Sequence, residues 1–374
     1  MSFDESYQPS EEAAAAFDRG LVSLHGEDLD TAIEAFTEAI QLDPDYAFAH
    51  HRRGVAHERQ ADRRAAMYDY TRAVELEPEF AAGWFARGNL WLKLKQFDQA
   101  VADFSEAIDI QGDWVEAFYN RGLAYGEMGE NSFALRDFDR AIELRPNLAE
   151  AYFNRALLSA KVGDYGPALL DYNEAIRLKP GFAEAYFNRG LAYHANGDYD
   201  SAVADFTLVV EHDPEFIRAY NNRGIALARL GEFEKAIADY TRVIEKRPFD
   251  AQVFYNRGNA RFAAGKYAEA IHDFSHAIRL QPDFAQAYNN RGISLAKGGA
   301  HEKAAADFSK AIELLPSFAE AFHGRAHAHF ALGDAEAAQA DAEAYQRLGG
   351  VVDLDFLEQL WTRPAPPEAD PAES

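Results

Sequence analysis

The chain has 374 residues, is 48% hydrophobic, carries a formal net charge of −25 at pH 7 and contains no cysteine. So much apolar content permits a large core, and the lack of cysteine excludes disulfides, thiolate nucleophiles and cysteine-ligated metals. The acidic balance opposes nucleic acid as a partner, because phosphate backbones are bound by clustered Lys and Arg that release counterions.

In chain order, residues 1–12 are polar and acidic and read as a flexible arm. They lack the basic and apolar stretches of a secretory leader. No later run reaches the roughly eighteen apolar residues of a membrane span, so no membrane insertion is expected, and the absence of cysteine fits a cytoplasmic protein.

From Ala13 to Val352 the sequence repeats every 34 residues. Prolines fall in register at Pro44, Pro78, Pro146, Pro180, Pro214, Pro248, Pro282 and Pro316, with Gly112 in the skipped slot. Small residues keep the same step, among them Gly54, Gly88, Gly122, Gly190 and Gly258 in one series and Ala66, Ala100, Ala202 and Ala270 in another. Such a period marks a stacked repeat architecture. Ten repeats start at residues 13, 47, 81, 115, 149, 183, 217, 251, 285 and 319, the last degenerate, with Ala342 and Gly350 where an aromatic and a proline are due.

Each repeat reads as two helices. In residues 183–216, Ala183, Tyr186, Gly190 and Tyr193 form one stripe, and Tyr199, Ala202, Val203, Phe206, Val209 and Val210 a second. Gly197-Asp198 breaks the chain between them, Asp198 being placed to cap the second helix, and Pro214 ends it. Gly190 and Ala202 let the axes approach while Phe206 fills the space between neighbours. After the tenth repeat, residues 353–361 read as a short amphipathic capping helix, and the Pro-rich acidic segment 362–374 as a disordered tail.

The pattern aromatic–x2–Arg-Gly–x2–aromatic, then Ala–x3–Phe/Tyr–x2–Ala, then Pro resembles the tetratricopeptide repeat. The resemblance implies an all-α fold, a right-handed α-solenoid or superhelix of stacked antiparallel helix pairs whose first helices line a concave groove. It implies a non-catalytic scaffold that binds a protein or extended peptide. One departure is constant: Arg precedes the small residue in every repeat, from Arg19 and Arg53 to Arg325, and Asp follows sixteen positions later in nine of them, Ala35 being the exception. These read as Arg–Asp bridges, within a repeat or between repeats.

The sixth position of each repeat is the informative one, with Asn120, Asn154, Asn188, Asn222, Asn256 and Asn290 in consecutive repeats. An amide offers donors and an acceptor, and the row is similar to the asparagine ladder in the repeat region of O-linked N-acetylglucosamine transferases, which clasps peptide backbone. The same asparagines also suit a consensus helix surface that is bonded locally. The fifth position is aromatic at Phe17, Phe85, Tyr119, Phe153, Phe187 and Tyr255, either to receive ligand side chains or to pack on the next helix. Glu116, Glu150 and Glu184 form an acidic stretch in a face that is near neutral overall, which suits a basic ligand segment.

Several activities are argued against. A clamp for chaperone C-terminal tails, as the family builds it, requires Lys at the fifth position; no repeat has one, and Asn89 and Asn259 follow Phe85 and Tyr255 instead. Gly258 to Lys266 is spaced wrongly for a phosphate loop, with Tyr267 in place of Ser or Thr. The pairs His272/His276 and His323/His327 have metal-ligand spacing but no third ligand nearby in sequence, so no metal, cofactor or catalytic centre is expected. The alternative to a binding module is a structural scaffold self-assembling through solenoid ends or convex faces, with oligomeric state open.

Overall fold

The computed structural model describes residues 8–353 together with Asp355, Phe356 and Glu358. The first seven residues of the expected arm, Leu354, Leu357 and residues 359–361 of the expected capping helix, and the tail 362–374 lie outside the described residues. Twenty helices and no strand are found among the described residues, and the chain divides into two compact units, residues 1–185 and 186–374. The helices form consecutive pairs: α1 (Glu11–His25) and α2 (Leu29–Leu42), α3 (Ala47–Arg59) and α4 (Arg63–Leu76), α5 (Ala81–Lys93) and α6 (Phe97–Ile110), α7 (Val115–Met128) and α8 (Asn131–Leu144), and α9 (Ala149–Lys161) and α10 (Tyr165–Leu178). The series continues with α11 (Ala183–Ala195) and α12 (Tyr199–His212), α13 (Ile217–Arg229) and α14 (Phe233–Lys246), α15 (Ala251–Ala263) and α16 (Tyr267–Leu280), α17 (Ala285–Lys297) and α18 (His301–Leu314), and α19 (Ala319–Leu332) and α20 (Ala335–Arg347). The chain is thus an α-helical solenoid of stacked pairs.

Short-range chemistry sets the breaks. Asp198 accepts a hydrogen bond from Ser201 N at 3.1 Å and caps α12, and that helix stops at His212, two residues before Pro214. Between the helices of a pair one residue is left-handed. From the fourth repeat on it is glycine, as at Gly197 with φ 83°, but Glu27, Ala61 and Lys95 take the same conformation in the first three. A side chain there costs about 1 kcal/mol relative to glycine, so the N-terminal hairpins carry strain that the later ones lack.

The core is a series of ring-on-glycine contacts. Phe36, Tyr70, Phe104, Phe138, Tyr172, Phe206, Tyr240, Phe274 and Phe308 are each at most 2% exposed. A Cβ placed on Gly190 would lie 2.8 Å from the Phe206 ring, and Gly88, Gly122 and Gly258 meet their own rings in the same way. The first-helix stripe is broader than the alternation of Ala183, Tyr186, Gly190 and Tyr193 predicts. Ala185, Phe187, Gly190 and Ala192 are the buried set in α11, and Tyr186 and Tyr193 are only half-buried. A first helix packs against its own second helix and the neighbouring repeats, so more than one of its faces leaves solvent.

The recurring arginine proves to be a tie in two directions. Arg53 donates through Nε and Nη2 to both carboxylate oxygens of Asp69 at 3.0 and 2.7 Å. The same two-pronged pairing joins Arg87–Asp103, Arg121–Asp137, Arg155–Asp171, Arg189–Asp205, Arg223–Asp239, Arg257–Asp273, Arg291–Asp307 and Arg325–Asp341, always within one repeat. Nη1 reaches the preceding repeat, at Thr37, Ser105, Thr241 and Ser275 from Arg53, Arg121, Arg257 and Arg291 at 2.9–3.1 Å. Ser105, Thr241 and Ser275 in turn donate their own protons to the carbonyl four residues back, each at 2.7 Å. Beneath the guanidinium lies the aromatic three residues earlier, as in Arg223 over Tyr220 at 5.4 Å. Arg19, facing Ala35, pairs instead with Glu38 at a surface where both side chains are more than half exposed.

At the C-terminal end Phe356 is 6% exposed and clusters with Ala326, Ala338, Ala342 and Val352. It stacks on His327 at 4.0 Å, so the small residues of the degenerate repeat are covered from beyond α20.

Candidate functional site

The sixth-position asparagines share one place on successive first helices, and their amides are not equivalent. In the first unit, Asn154 donates through Nδ2 to Glu150 O at 2.8 Å and to Tyr119 Oη at 3.0 Å. Its Oδ1 accepts nothing among the described residues. Asn120 donates to Asn89 Oδ1 at 2.7 Å. In the second unit, Asn222 donates to Arg218 O at 2.8 Å, again leaving Oδ1 unoccupied among the described residues. Asn256 Oδ1 accepts from Gln252 Nε2 at 3.0 Å. Asn290 is fully engaged, donating to Tyr255 Oη at 3.0 Å and Asn259 Oδ1 at 2.8 Å and accepting from Asn289. Asn188 holds the same position, half-buried, on α11. The ninth-position residues Asn89 and Asn259, noticed in the sequence only as parts of an incomplete clamp, are therefore partners of the following repeat's sixth position.

The fifth-position rings pack inward. Phe187 is 2% exposed, tilted against Phe206 and Phe216 at centroid distances of 5.7 and 5.0 Å. Phe153 rests on Tyr172 and Phe182 at 6.1 and 4.7 Å, and Tyr255 on Phe274 and Phe284 at 5.8 and 4.8 Å. Tyr119 lies 5.9 Å from Phe138. Of the two readings, packing is the one the geometry displays, because each ring bridges its own repeat's core ring and, at Phe153, Phe187 and Tyr255, the aromatic that closes the repeat. Only the hydroxyls of Tyr119 and Tyr255 reach the asparagine row.

At this position the second repeat substitutes His51, 7% exposed, with its ring edge-on to Phe80 at 5.0 Å. Burial first, then the charge of Arg52, pushes its pKa from 6.5 down to about 4. The unfolded chain takes up this proton near pH 6.5 and the folded chain only near 4, so stability is intact above pH 6.5 and is lost as pH falls towards 4. The loss is about 3 kcal/mol for this group alone. His51→Phe should flatten the fall between pH 7 and 4.5 in denaturant titrations by about 2 kcal/mol, the rest being lost only below that range; an unchanged acid slope would count against the assignment.

The acidic stretch is internally neutralised in the first unit. Arg145 meets Glu116 at 2.6 Å and Lys179 meets Glu150 at 3.0 Å. The hydrogen bond from Lys179 comes first in holding Glu150 below the ordinary carboxylate range; at Glu116 desolvation is the largest influence and works upward, but the hydrogen bonds of Arg145, the backbone and Trp114 together with the charge of Arg145 outweigh it and hold the carboxyl low. Both acids are charged and already paired within the chain, so a basic ligand segment there would compete with Arg145 and Lys179. Glu184 is exposed at the matching position of α11.

The histidine pairs are packing elements. His276 stacks on Phe254 at 5.1 Å, His323 lies 4.8 Å from Tyr345, and His327 lies against Phe356. Among the described residues no group of three or more His, Asp or Glu side chains converges to hold a metal, and no helix is long and apolar enough to cross a membrane.

Three descriptions of the tetratricopeptide repeat match the chain, at residues 187–251 and 255–319, at residues 24–60, 92–129 and 160–197, and at residues 115–148. No curated protein matches it. Among solved structures it is similar to YrrB, titled a TPR protein with an unusual peptide-binding site, at 27% identity and TM-score 0.47, over 50% of this chain and 97% of that one. It is similar to MamA from Desulfovibrio magneticus RS-1 at 25% identity and TM-score 0.44, over 46% of this chain and 96% of that one. It also resembles PilF of Pseudomonas aeruginosa at 20% identity and TM-score 0.51, over 59% of this chain and 99% of that one, a likeness of fold. With matches over more than half of its length, and helix pairs throughout, the chain belongs to the tetratricopeptide repeat family.

Proposed function

We propose that the first-helix face binds an extended polypeptide through its main chain, with the sixth-position asparagines as hydrogen-bonding rungs. The family as such is a protein-interaction scaffold, typically non-catalytic. The observation that carries the finer reading is the state of Asn154 and Asn222. Each has an amide proton tied to the carbonyl four residues back, at 2.8 Å, which fixes the side-chain orientation and leaves Oδ1 as an acceptor without a partner among the described residues. Such an acceptor, at Asn154 in the first unit and at Asn222 in the second, suits a main-chain N–H of an extended chain and makes no demand on its side chains. Asn120 and Asn290, bonded to Asn89 and Asn259 of the preceding repeats, we assign to stacking of the repeats.

The test is a variant carrying Asn154→Ala, Asn222→Ala and Asn256→Ala, panned beside the wild type against a library of random peptides. Each lost hydrogen bond is worth about 0.5–1.5 kcal/mol, so affinity should fall roughly tenfold or more while helicity by circular dichroism stays constant. Selected peptides that bind the folded variant as tightly as the wild type would end the rung assignment.

A further inference from the structure

We propose that the cavity between the seventh and eighth repeats receives the carboxylate of an Asp or Glu side chain on a bound extended peptide, a proposal that rests on the reading of this face as a peptide site. The argument comes from a slot that the chain fills in two other repeats. In the fourth repeat the second position and the residue after the second helix are Glu116 and Arg145, paired at 2.6 Å. In the fifth they are Glu150 and Lys179, paired at 3.0 Å. In the seventh repeat the same two positions are Arg218 and Arg247. The base is retained and the acid has become a second base.

Both arginines line one cavity of about 110 Å³, together with Asn221, Asn222, Gln252 and Asp250. With water occupying roughly 30 Å³, that space admits a carboxylate and its methylene. Neither guanidinium has a hydrogen-bonded or ionic partner among the described residues. The nearby acids are committed elsewhere: Asp250 caps α15 by accepting from Gln252 N and Val253 N at 3.1 and 3.4 Å, and Glu215 is held by Lys246 and Arg242 at 2.8 and 3.4 Å. Arg218 is fixed without use of its N–H donors, because its guanidinium lies over the rings of Phe187 and Phe216 at 4.7 and 5.8 Å. Two planar donor groups beside one small cavity match the paired oxygens of a carboxylate.

The full chain is panned against random peptides acetylated at one end and amidated at the other, so that no terminal carboxylate is present. Enriched sequences are expected to hold an acidic residue in a constant register, and its replacement by Gln or Asn should weaken binding about tenfold. Arg218→Glu recreates the acid–base pair of the fourth and fifth repeats; it should melt no lower than the wild type and lose the acidic preference. Arg247→Gln should lose it as well. Enriched peptides without an acidic preference, or a preference that survives Arg218→Glu, would overturn the carboxylate site and leave the peptide-binding face standing. Enrichment seen only in a parallel library with free C-termini would overturn the side-chain assignment, and no enrichment in either library would overturn both proposals.

Discussion

Replacing Asp273 with alanine should cost about 3–5 kcal/mol of local stability, the range for stranding a buried charge. Asp273 is 0% exposed and takes three hydrogen bonds, from Nε and Nη2 of Arg257 at 2.9 and 2.8 Å and from Nη1 of Arg261 at 2.7 Å. Without the carboxylate two guanidinium groups lose their partner while their side chains are only 11% and 20% exposed. The loss should spread backwards, because the Nη1 of Arg257 also holds Thr241 of the preceding repeat at 3.0 Å. Repeat proteins open by segments, so amide hydrogen exchange across α14 to α16 is the proper measurement. Arg19→Met supplies the contrast: its pair with Glu38 is more than half exposed on both sides and is worth under about 1 kcal/mol. The triple change Asp273→Leu, Arg257→Met and Arg261→Met should recover most of the loss, since an apolar replacement removes the desolvated charges together. Equal protection in Asp273→Ala and Arg19→Met would refute the assignment of the bridge as a structural tie.

Most of the fold could be read from the sequence because the repeat states its own rules. Pro214, Asp198 and the Gly190–Phe206 spacing each act within a few residues or one helical hairpin, and each recurs at a fixed step, so local chemistry and global architecture agree. The direction of the Arg–Asp bridge was also approachable, since a within-repeat partner leaves only Arg19 without its aspartate. That the third nitrogen of Arg53 or Arg257 would reach Thr37 or Thr241 was not. A hydroxyl sixteen residues before the arginine acquires meaning only when two repeats are stacked.

The candidate site was less legible for a related reason. Helical spacing groups the fifth and sixth positions together as outward-facing, but Phe187 lies inside and Asn222 outside. A single-helix wheel takes no account of the second neighbour that covers part of the first helix. The acidic stretch was only partly legible: Glu150 and Lys179 are 29 residues apart and meet through the return of the chain at 3.0 Å, a distance that charge counting along one helix cannot represent. The same return places Arg218 beside the cavity shared with Arg247.

Phe206→Ala should remove about 3–5 kcal/mol from the sixth repeat and its following neighbour, the range for emptying a well-packed aromatic site. The ring is 0% exposed and packs with Ala202, Val209, Val210, Ala219 and Ala226. Gly190 decides how much of that loss can be recovered. With Phe206 present, Gly190→Ala pushes a methyl against a ring atom only 2.8 Å from the new Cβ, and the overpacking should cost about 1 kcal/mol net. The low end is appropriate because the fifth repeat already tolerates Ala156 with a buried Tyr172. With Phe206→Ala in place the clash is gone, and the same methyl fills part of the void and favours the helix, returning about 1 kcal/mol. The tenth repeat has this combination naturally, with Ala326 and Ala342 both buried and Phe356 brought in to cover them. One substitution should therefore change sign with its neighbour, a coupling of about 2 kcal/mol that a double-mutant cycle read by hydrogen exchange in α11 and α12 measures directly. Additive effects would mean that glycine at this position answers to something other than the ring.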